Sequence, residues 1–177
     1  MIKENYDPLT EAVLSADEFK NAFRDHPAGV AVITADAGDG PVALTATSVA
    51  SVSAEPPLIM FSVSAISSST PTIRRARTVV VHLLSAEQLH IAKLGATSGV
   101  DRFADRTLWD VLPTGETYFP QARTWIRARV LNQMQAGGSS IVLVEALEAK
   151  PQEPAETDPL VYHNRAWHRL GDHSRIE

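Results

Sequence analysis

Short β-branched runs, each closed by turn-forming residues, dominate the hydrophobic pattern of this chain. AGVAVIT (28–34) leads into ADAGDGP, and VALTATS (42–48) resumes extended character beyond it, so the pair predicts a hairpin. PPLIMFSVS (56–64) predicts another strand, with both prolines outside its start. TVVVHLL (78–84) predicts a further one. In RTWIRARVLNQ (123–133), Ile126, Ala128 and Val130 alternate with Arg127 and Arg129, as in a half-buried strand. AGGSS (136–140) turns that strand into SIVLVEALEAK (140–150), and LVYHNRAWHRL (160–170) predicts a last hairpin turning over Asn164–Arg165.

Helical signals are few and short. In SADEFKNAFRDH (15–26), Ser15 stands three residues before Glu18, a capping-box spacing, and Phe19, Ala22 and Phe23 share one face. In SSSTPTIRRAR (67–77), Ser69 or Thr70 can cap a helix and Pro71 suits its first turn. AEQLHIAKLGA (86–96) predicts a helix closing on Gly95, and residues 96–120 are irregular. The pattern adds up to about seven strands and two or three helices, too few helices for regular βαβ units. It predicts a mainly β protein, an antiparallel barrel or sandwich with short helical insertions. Residues 1–14 are expected to be a loose lead-in, 15–177 a single domain, and Pro151–Pro159 a polar loop.

Composition narrows the function classes. The net charge of −5 gives no basis for binding nucleic acid or an anionic membrane. The opening MIKENYDPLT has no apolar h-region, and no run has the length of a membrane helix. The absence of cysteine excludes disulfides, thiolate metal sites and cysteine nucleophiles, and fits a cytoplasmic protein. The nucleophile elbow, the Walker A loop and the dinucleotide-binding glycine fingerprint are all absent. The six histidines show no metal spacing, and His82, inside an apolar strand, is expected to be structural.

What stands out is hydroxyls without charge. Five of the nine residues of TATSVASVS (45–53) carry hydroxyls, and between Gly40 and Ile73 the only charged residue is Glu55. A second hydroxyl-rich segment, 62–72, leads into a helix start with Arg74, Arg75 and Arg77 just beyond. Small hydroxyl residues leave main-chain N–H and C=O groups within reach, and a helix start favours phosphate. The combination suits a ligand with a phosphate at one end, a polyhydroxyl middle and a flat polar ring, the layout of flavin mononucleotide. Each of these residues taken singly also fits a turn or a cross-strand pair.

The chain resembles the flavin reductase-like family from about Phe19 to Leu170. The landmarks are FRDHPAGVAVIT, GPVALTATSVASVSAEPPLIMFSV, SSSTPTIRRARTVVVHLL, DRFAD with LWD, and PLVYHNRAWHRL, in that order. The resemblance implies an FMN-binding split barrel of antiparallel Greek-key topology. It also implies a homodimer with flavin near the subunit interface, and the small NAD(P)H-using component of a two-component flavin monooxygenase. Carried over by position, Thr45, Ala46, Thr47 and Ser48 line the flavin ring and ribityl chain, with Val49, Ala50, Ser51 and Ser53 beside them. Ser62 and Ser64 meet the flavin from the next strand, and Ser67, Ser69 and Thr70 hold its phosphate. Pro27, Ala28 and Gly29 approach the ring, and Arg102 and Phe103 lie at the pocket mouth. Tyr162, His163 and Arg165 cover the nicotinamide side, with Arg165 and Arg102 the candidates for a nucleotide phosphate.

One departure concerns the nucleotide. The family often carries Gly-Asp-His where this chain has Gly137-Gly138-Ser139, so Ser139 stands in the place of a histidine linked to nicotinamide binding. The implied activity is hydride transfer from NADH or NADPH to FMN or FAD, with an oxygenase as possible recipient. The alternatives are a flavin-storing or flavin-sensing protein with little turnover, and a split-barrel oxidase of another small substrate. No catalytic residue is nominated, because the cofactors carry the chemistry.

Overall fold

A computed structural model describes residues 12–150 and 157–176 of the chain; most of the expected lead-in and of the 151–159 loop lies outside them. The elements run α1 (Ala16–Arg24), β1 (Ala28–Gly29), β2 (Ala31–Asp36), β3 (Pro41–Ala46), β4 (Ala50–Ser53) and β5 (Leu58–Ser64). They continue through α2 (Thr70–Arg75), β6 (Thr78–Leu83), a 3₁₀ turn at Ala86–Gln88, α3 (Leu89–Ala96), β7 (Asp110–Val111) and β8 (Thr117–Tyr118). Then come β9 (Thr124–Ala136), β10 (Ser139–Ala149), β11 (Leu160–His163), β12 (Ala166–Arg169) and a 3₁₀ turn at Asp172–Ser174.

Seven strands form a curled antiparallel sheet in the order β3-β2-β6-β9-β10-β5-β4. Its two edges are not hydrogen-bonded as strands, so the barrel is split. Beside the gap, the Ser48 hydroxyl ties the β3–β4 connection to β5: it accepts the Ser62 N–H at 3.0 Å and donates to the Ser62 carbonyl at 3.3 Å. β1, β11 and β12 make a small separate sheet, so AGVAVIT is two strands in two sheets rather than one. The pattern underestimates the strand number because β1, β4, β7 and β8 are only two to four residues long, below the length at which alternation is readable.

The inside of the curl is filled by Ile33, Leu44, Phe61, Val79, Val81, Val142 and Val144, closed at one end by Ile73 of α2. The back of β2 is covered by α3 and by the irregular 97–122 segment, through Val32, Ile91, Phe103 and Phe119. β2 is therefore buried on both faces, which is why its sequence does not alternate; its one buried hydroxyl, Thr34, donates to the Thr117 carbonyl at 2.6 Å. α1 forms with the expected reciprocal Ser15–Glu18 box. α2 begins at Thr70 behind Ser69, but neither hydroxyl caps it: Ser69 makes no side-chain cap bond.

His82 pins the irregular segment to the sheet. Its Nδ1 lies 2.9 Å from the Val32 carbonyl, and its Nε2 accepts the Phe119 N–H at 3.0 Å, which sets the proton on Nδ1. Burial holds the imidazole down at about 4 from an ordinary 6.5. Between those two values the unfolded chain binds a proton that the folded chain refuses, so stability falls with falling pH there. We expect this group to contribute roughly 3 kcal/mol above about pH 6.5, lost progressively as the pH falls to about 4. Urea denaturation at several pH values checks it: His82→Gln flattens that part of the profile relative to wild type.

Candidate functional site

Two clefts open on either side of the β3–β4 corner. The first, of about 770 Å³, lies between α1, the corner and the β11–β12 hairpin. The second, of about 630 Å³, lies between β3, β5, the residues before α2 and the C-terminal end of α3. Thr47 and Ser48 line both, so the clefts meet at these two exposed residues.

The second cleft is lined by main chain and small side chains. Thr45, Ala46, Thr47, Ser48, Ser62, Ser64 and Ser67 of the expected flavin set converge here, together with Arg102. No carboxylate is among the lining residues. Arg102 donates from Nη2 to the Thr97 carbonyl at 2.7 Å and from Nη1 to the Ser69 hydroxyl at 3.4 Å, while its Nε is buried without a protein partner. A fixed guanidinium beside Ser67, Ser68, Ser98 and Gly99 gives this end of the cleft its positive charge. Arg74, Arg75 and Arg77 do not supply it: none lines the cleft, and Arg75 pairs with Asp39 at 2.6 Å.

Several expected contacts fall elsewhere. Ser69 and Thr70 are buried behind the cleft, where Ser69 donates to the Ala43 carbonyl at 2.9 Å and Thr70 to the Ser64 carbonyl at 2.6 Å. A hydroxyl has one hydrogen, so neither has one left for a phosphate. Phe103 is core rather than mouth: it is 8% exposed, stacks on Phe119 at 5.8 Å and meets the edge of Trp109 at 5.5 Å. Ser139, opposite Ser64 on β10, lines the second cleft and not the first. Ser51 and Ser53 lie on edge strand β4, outside both clefts. Val49 and Ala50 line the first cleft, as does Ala28, but Pro27 and Gly29 do not. Tyr162, His163 and Arg165 line the first cleft.

Most residues missed by sequence reasoning come from two places, with Met60, Ile66, Ser68 and Asn164 among the others. Gly95 and Ala96 at the end of α3, with Ser98 and Gly99 after it, close the second cleft; a glycine ending a helix gave no sign of a ligand wall. Phe19, Lys20, Phe23, Arg24 and His26 line the first cleft, although the apolar face of α1 reads as one meant for the core.

Fold and clefts together define a split-barrel protein with one polar, uncharged-floored cleft beside a cationic one. The chain belongs to the flavin reductase-like family: the model of the flavin reductase like domain matches residues 23–171. An NADH:FMN oxidoreductase from Rhodococcus qingshengii is 40% identical over 164 residues, covering 92% of this chain and 85% of that protein. An NADH:riboflavin 5'-phosphate oxidoreductase from Streptomyces pristinaespiralis is 34% identical over 92% of both chains. The crystal structure of a flavin reductase domain protein from Arthrobacter sp. FB24 superposes with a TM-score of 0.81 at 32% identity, covering 86% of this chain and 94% of that one. An NADH:FAD oxidoreductase from Streptomyces globisporus, solved with NAD and FAD fragments, gives 0.80 at 25% identity over 97% and 99%.

α3 approaches β3 most closely at Thr45. The Thr45 hydroxyl donates to the Ala92 carbonyl at 2.6 Å, and a Cβ on Gly95 would stand 2.5 Å from that hydroxyl and 3.1 Å from the Thr45 nitrogen. Gly95→Ala is expected to lower stability by about 1–3 kcal/mol, the ordinary cost of overpacking, despite alanine's better helix propensity. Chemical denaturation measures it; an unchanged midpoint would mean that α3 and β3 separate freely.

Proposed function

We propose that the protein is an NADH-dependent flavin reductase that passes hydride to FMN and supplies the reduced flavin to a partner monooxygenase. The observation that carries this reading is the shared wall at Thr47–Ser48, across which a ring bound in one cleft would face a ring bound in the other. The second cleft fits a flavin: small residues leave backbone groups free for the ring and ribityl chain. Arg102, with its unpartnered Nε, suits the phosphate end beside Ser67 and Ser68. When bound, the isoalloxazine accepts hydride at N5 from C4 of the dihydronicotinamide. The chain's part is to orient and to exclude charge. The corner holds its shape because Ser48 is fixed to the β5 backbone, and an unpaired charge beside a neutral ring would be costly to bury. Orientation of two bound rings is a large source of rate, and it needs no acid–base team.

Purified protein tests this directly. NADH oxidation is expected to require added flavin, and FMN consumption to be stoichiometric with NADH under anaerobic conditions; no flavin-dependent oxidation would defeat the reading. Arg102→Ala is expected to weaken FMN binding about 10- to 100-fold, the equivalent of one charge-assisted contact. Fluorescence titration reads that change.

Homodimerisation belongs to the same proposal. Along β5, Phe61 and Val63 are buried in the core, so Met60 and Ser62 face outward, and Leu143, Ile141 and Met134 stand beside them in register. This outer face is apolar, with Met60 39% and Met134 58% exposed, and it runs into both clefts through Met60, Ser62 and Ser139. A second copy covering it would also wall the cofactor. Sedimentation should give twice the chain mass, and Met134→Glu should give the monomer. Residues 15–177 act as one domain in this reading, and dependence on NADH suits the cytoplasm. Among the described residues, no helix is long and apolar enough to cross a membrane.

A further inference from the structure

Arg102 is the one charged residue lining the second cleft among the described residues, yet no regular element directs it. Between the end of α3 at Ala96 and the start of β7 at Asp110 the chain forms neither helix nor strand. A long side chain on such a stretch loses much conformational freedom when it is held at one place, and that cost weakens whatever it binds. The head of Arg102 is held by the Thr97 carbonyl and the Ser69 hydroxyl. Its base is held through its neighbour.

That neighbour, Phe103, is fixed on every side. Its N–H donates to Asp101 Oδ1 at 2.9 Å, and its carbonyl accepts the Trp109 Nε1–H at 2.8 Å. Its ring lies nearly parallel to Phe119, with 11° between the planes, and meets Trp109 at 90°. Phe119 is fixed in turn by His82. Its N–H donates to His82 Nε2, and the two rings meet edge to face with centroids 5.4 Å apart. His82 is fully buried in β6 and bonds the Val32 carbonyl of β2. An unbroken series of contacts therefore runs from the centre of the sheet to the residue beside Arg102. The links run through main-chain N–H groups as well as rings, so the direction of the chain is fixed along with the packing.

We propose that the series His82–Phe119–Phe103 is a positioning device for Arg102, through which the core sets the preference of the second cleft for FMN over unphosphorylated riboflavin. None of the three lines the cleft, so they act through the arginine and not on the flavin. The proposal rests on the reading of that cleft as the flavin site and adds what makes its single cation effective. A guanidinium already in place meets a phosphate without the ordering cost that a loose one would carry.

Fluorescence titration with FMN and with riboflavin, which lacks the phosphate, tests it. Wild type should bind FMN about tenfold or more tighter than riboflavin, and Arg102→Ala should abolish that preference. Phe119→Leu breaks the stack, and Trp109→Phe removes only the Nε1–H bond to the Phe103 carbonyl. Each should weaken FMN binding about three- to tenfold and leave riboflavin binding as in wild type. Combined with Arg102→Ala, neither should weaken FMN binding further, because residues acting through one group are not additive. Trp109→Phe keeps a ring at a half-buried site, so its melting temperature should stay near that of wild type, which separates a misaimed arginine from a lost fold. The proposal is overturned if both variants leave FMN affinity unchanged, if FMN and riboflavin weaken alike, or if the losses add to that of Arg102→Ala. Equal binding of the two flavins by wild type also overturns it, and flavin-dependent NADH oxidation would then leave the reductase reading standing. A wild type that prefers FMN but oxidises no NADH defeats the reductase reading alone, and the titrations still decide this one.

Discussion

Three hydroxyl-to-carbonyl hydrogen bonds hold the elements around the second cleft together. Thr45 ties β3 to α3 through Ala92, Ser69 ties the start of α2 to β3 through Ala43, and Thr70 ties it to the end of β5 through Ser64. The open edge of β3 and the end of β5 leave carbonyls without ladder partners, and a carbonyl left unpaired away from water is costly. A hydroxyl on a short side chain satisfies such a carbonyl while keeping the two backbones close. The missing side chain at Gly95 allows that closeness at α3. With the backs of these elements anchored, their fronts can present bare main chain to a ligand without collapsing onto each other.

The same economy of size shapes the boundary between the clefts. The β3–β4 corner is not part of a ladder, yet the Ser48 hydroxyl takes the place of a strand partner for Ser62. The barrel thus stays open as a sheet while side-chain hydrogen bonds hold its open side together. Where the two clefts meet, the chain offers only Thr47 and Ser48; a bulky residue would separate the rings that hydride transfer requires to approach. Charge is kept to the outer ends: Arg102 in the second cleft, and Lys20, Arg24 and Arg165 in the first. A ligand with a neutral ring system and anionic ends meets a matching distribution.

Much of the frame was legible from the chain. Alternation in β9, the proline-bounded start of β5, the Asn164–Arg165 turn and the Ser15–Glu18 cap all stand where the pattern puts them. His82 is structural, as its place in an apolar strand suggests. The hydroxyl-rich segments do converge on one cleft. Within them, though, sequence could not tell Ser67, which lines the cleft, from Ser69, which is sealed behind it. Phe103 was misplaced because an aromatic beside an arginine in an irregular loop has no periodicity to give its direction. The role of α1 was missed because an amphipathic helix looks the same whether its apolar face meets a core or a cleft.

The chain by itself determined the secondary structure of its longer elements, the antiparallel β class and the concentration of uncharged hydroxyls near two strand ends. These depend on local backbone preference and short-range periodicity, which act over a few neighbouring residues. Only the tertiary structure decided which hydroxyls face the cleft, that β2 is buried on both sides, and that α1 stands over the first cleft. A hydroxyl serves a buried carbonyl or an open cleft equally well, so its role follows from which unsatisfied group the folded chain brings within about 3 Å.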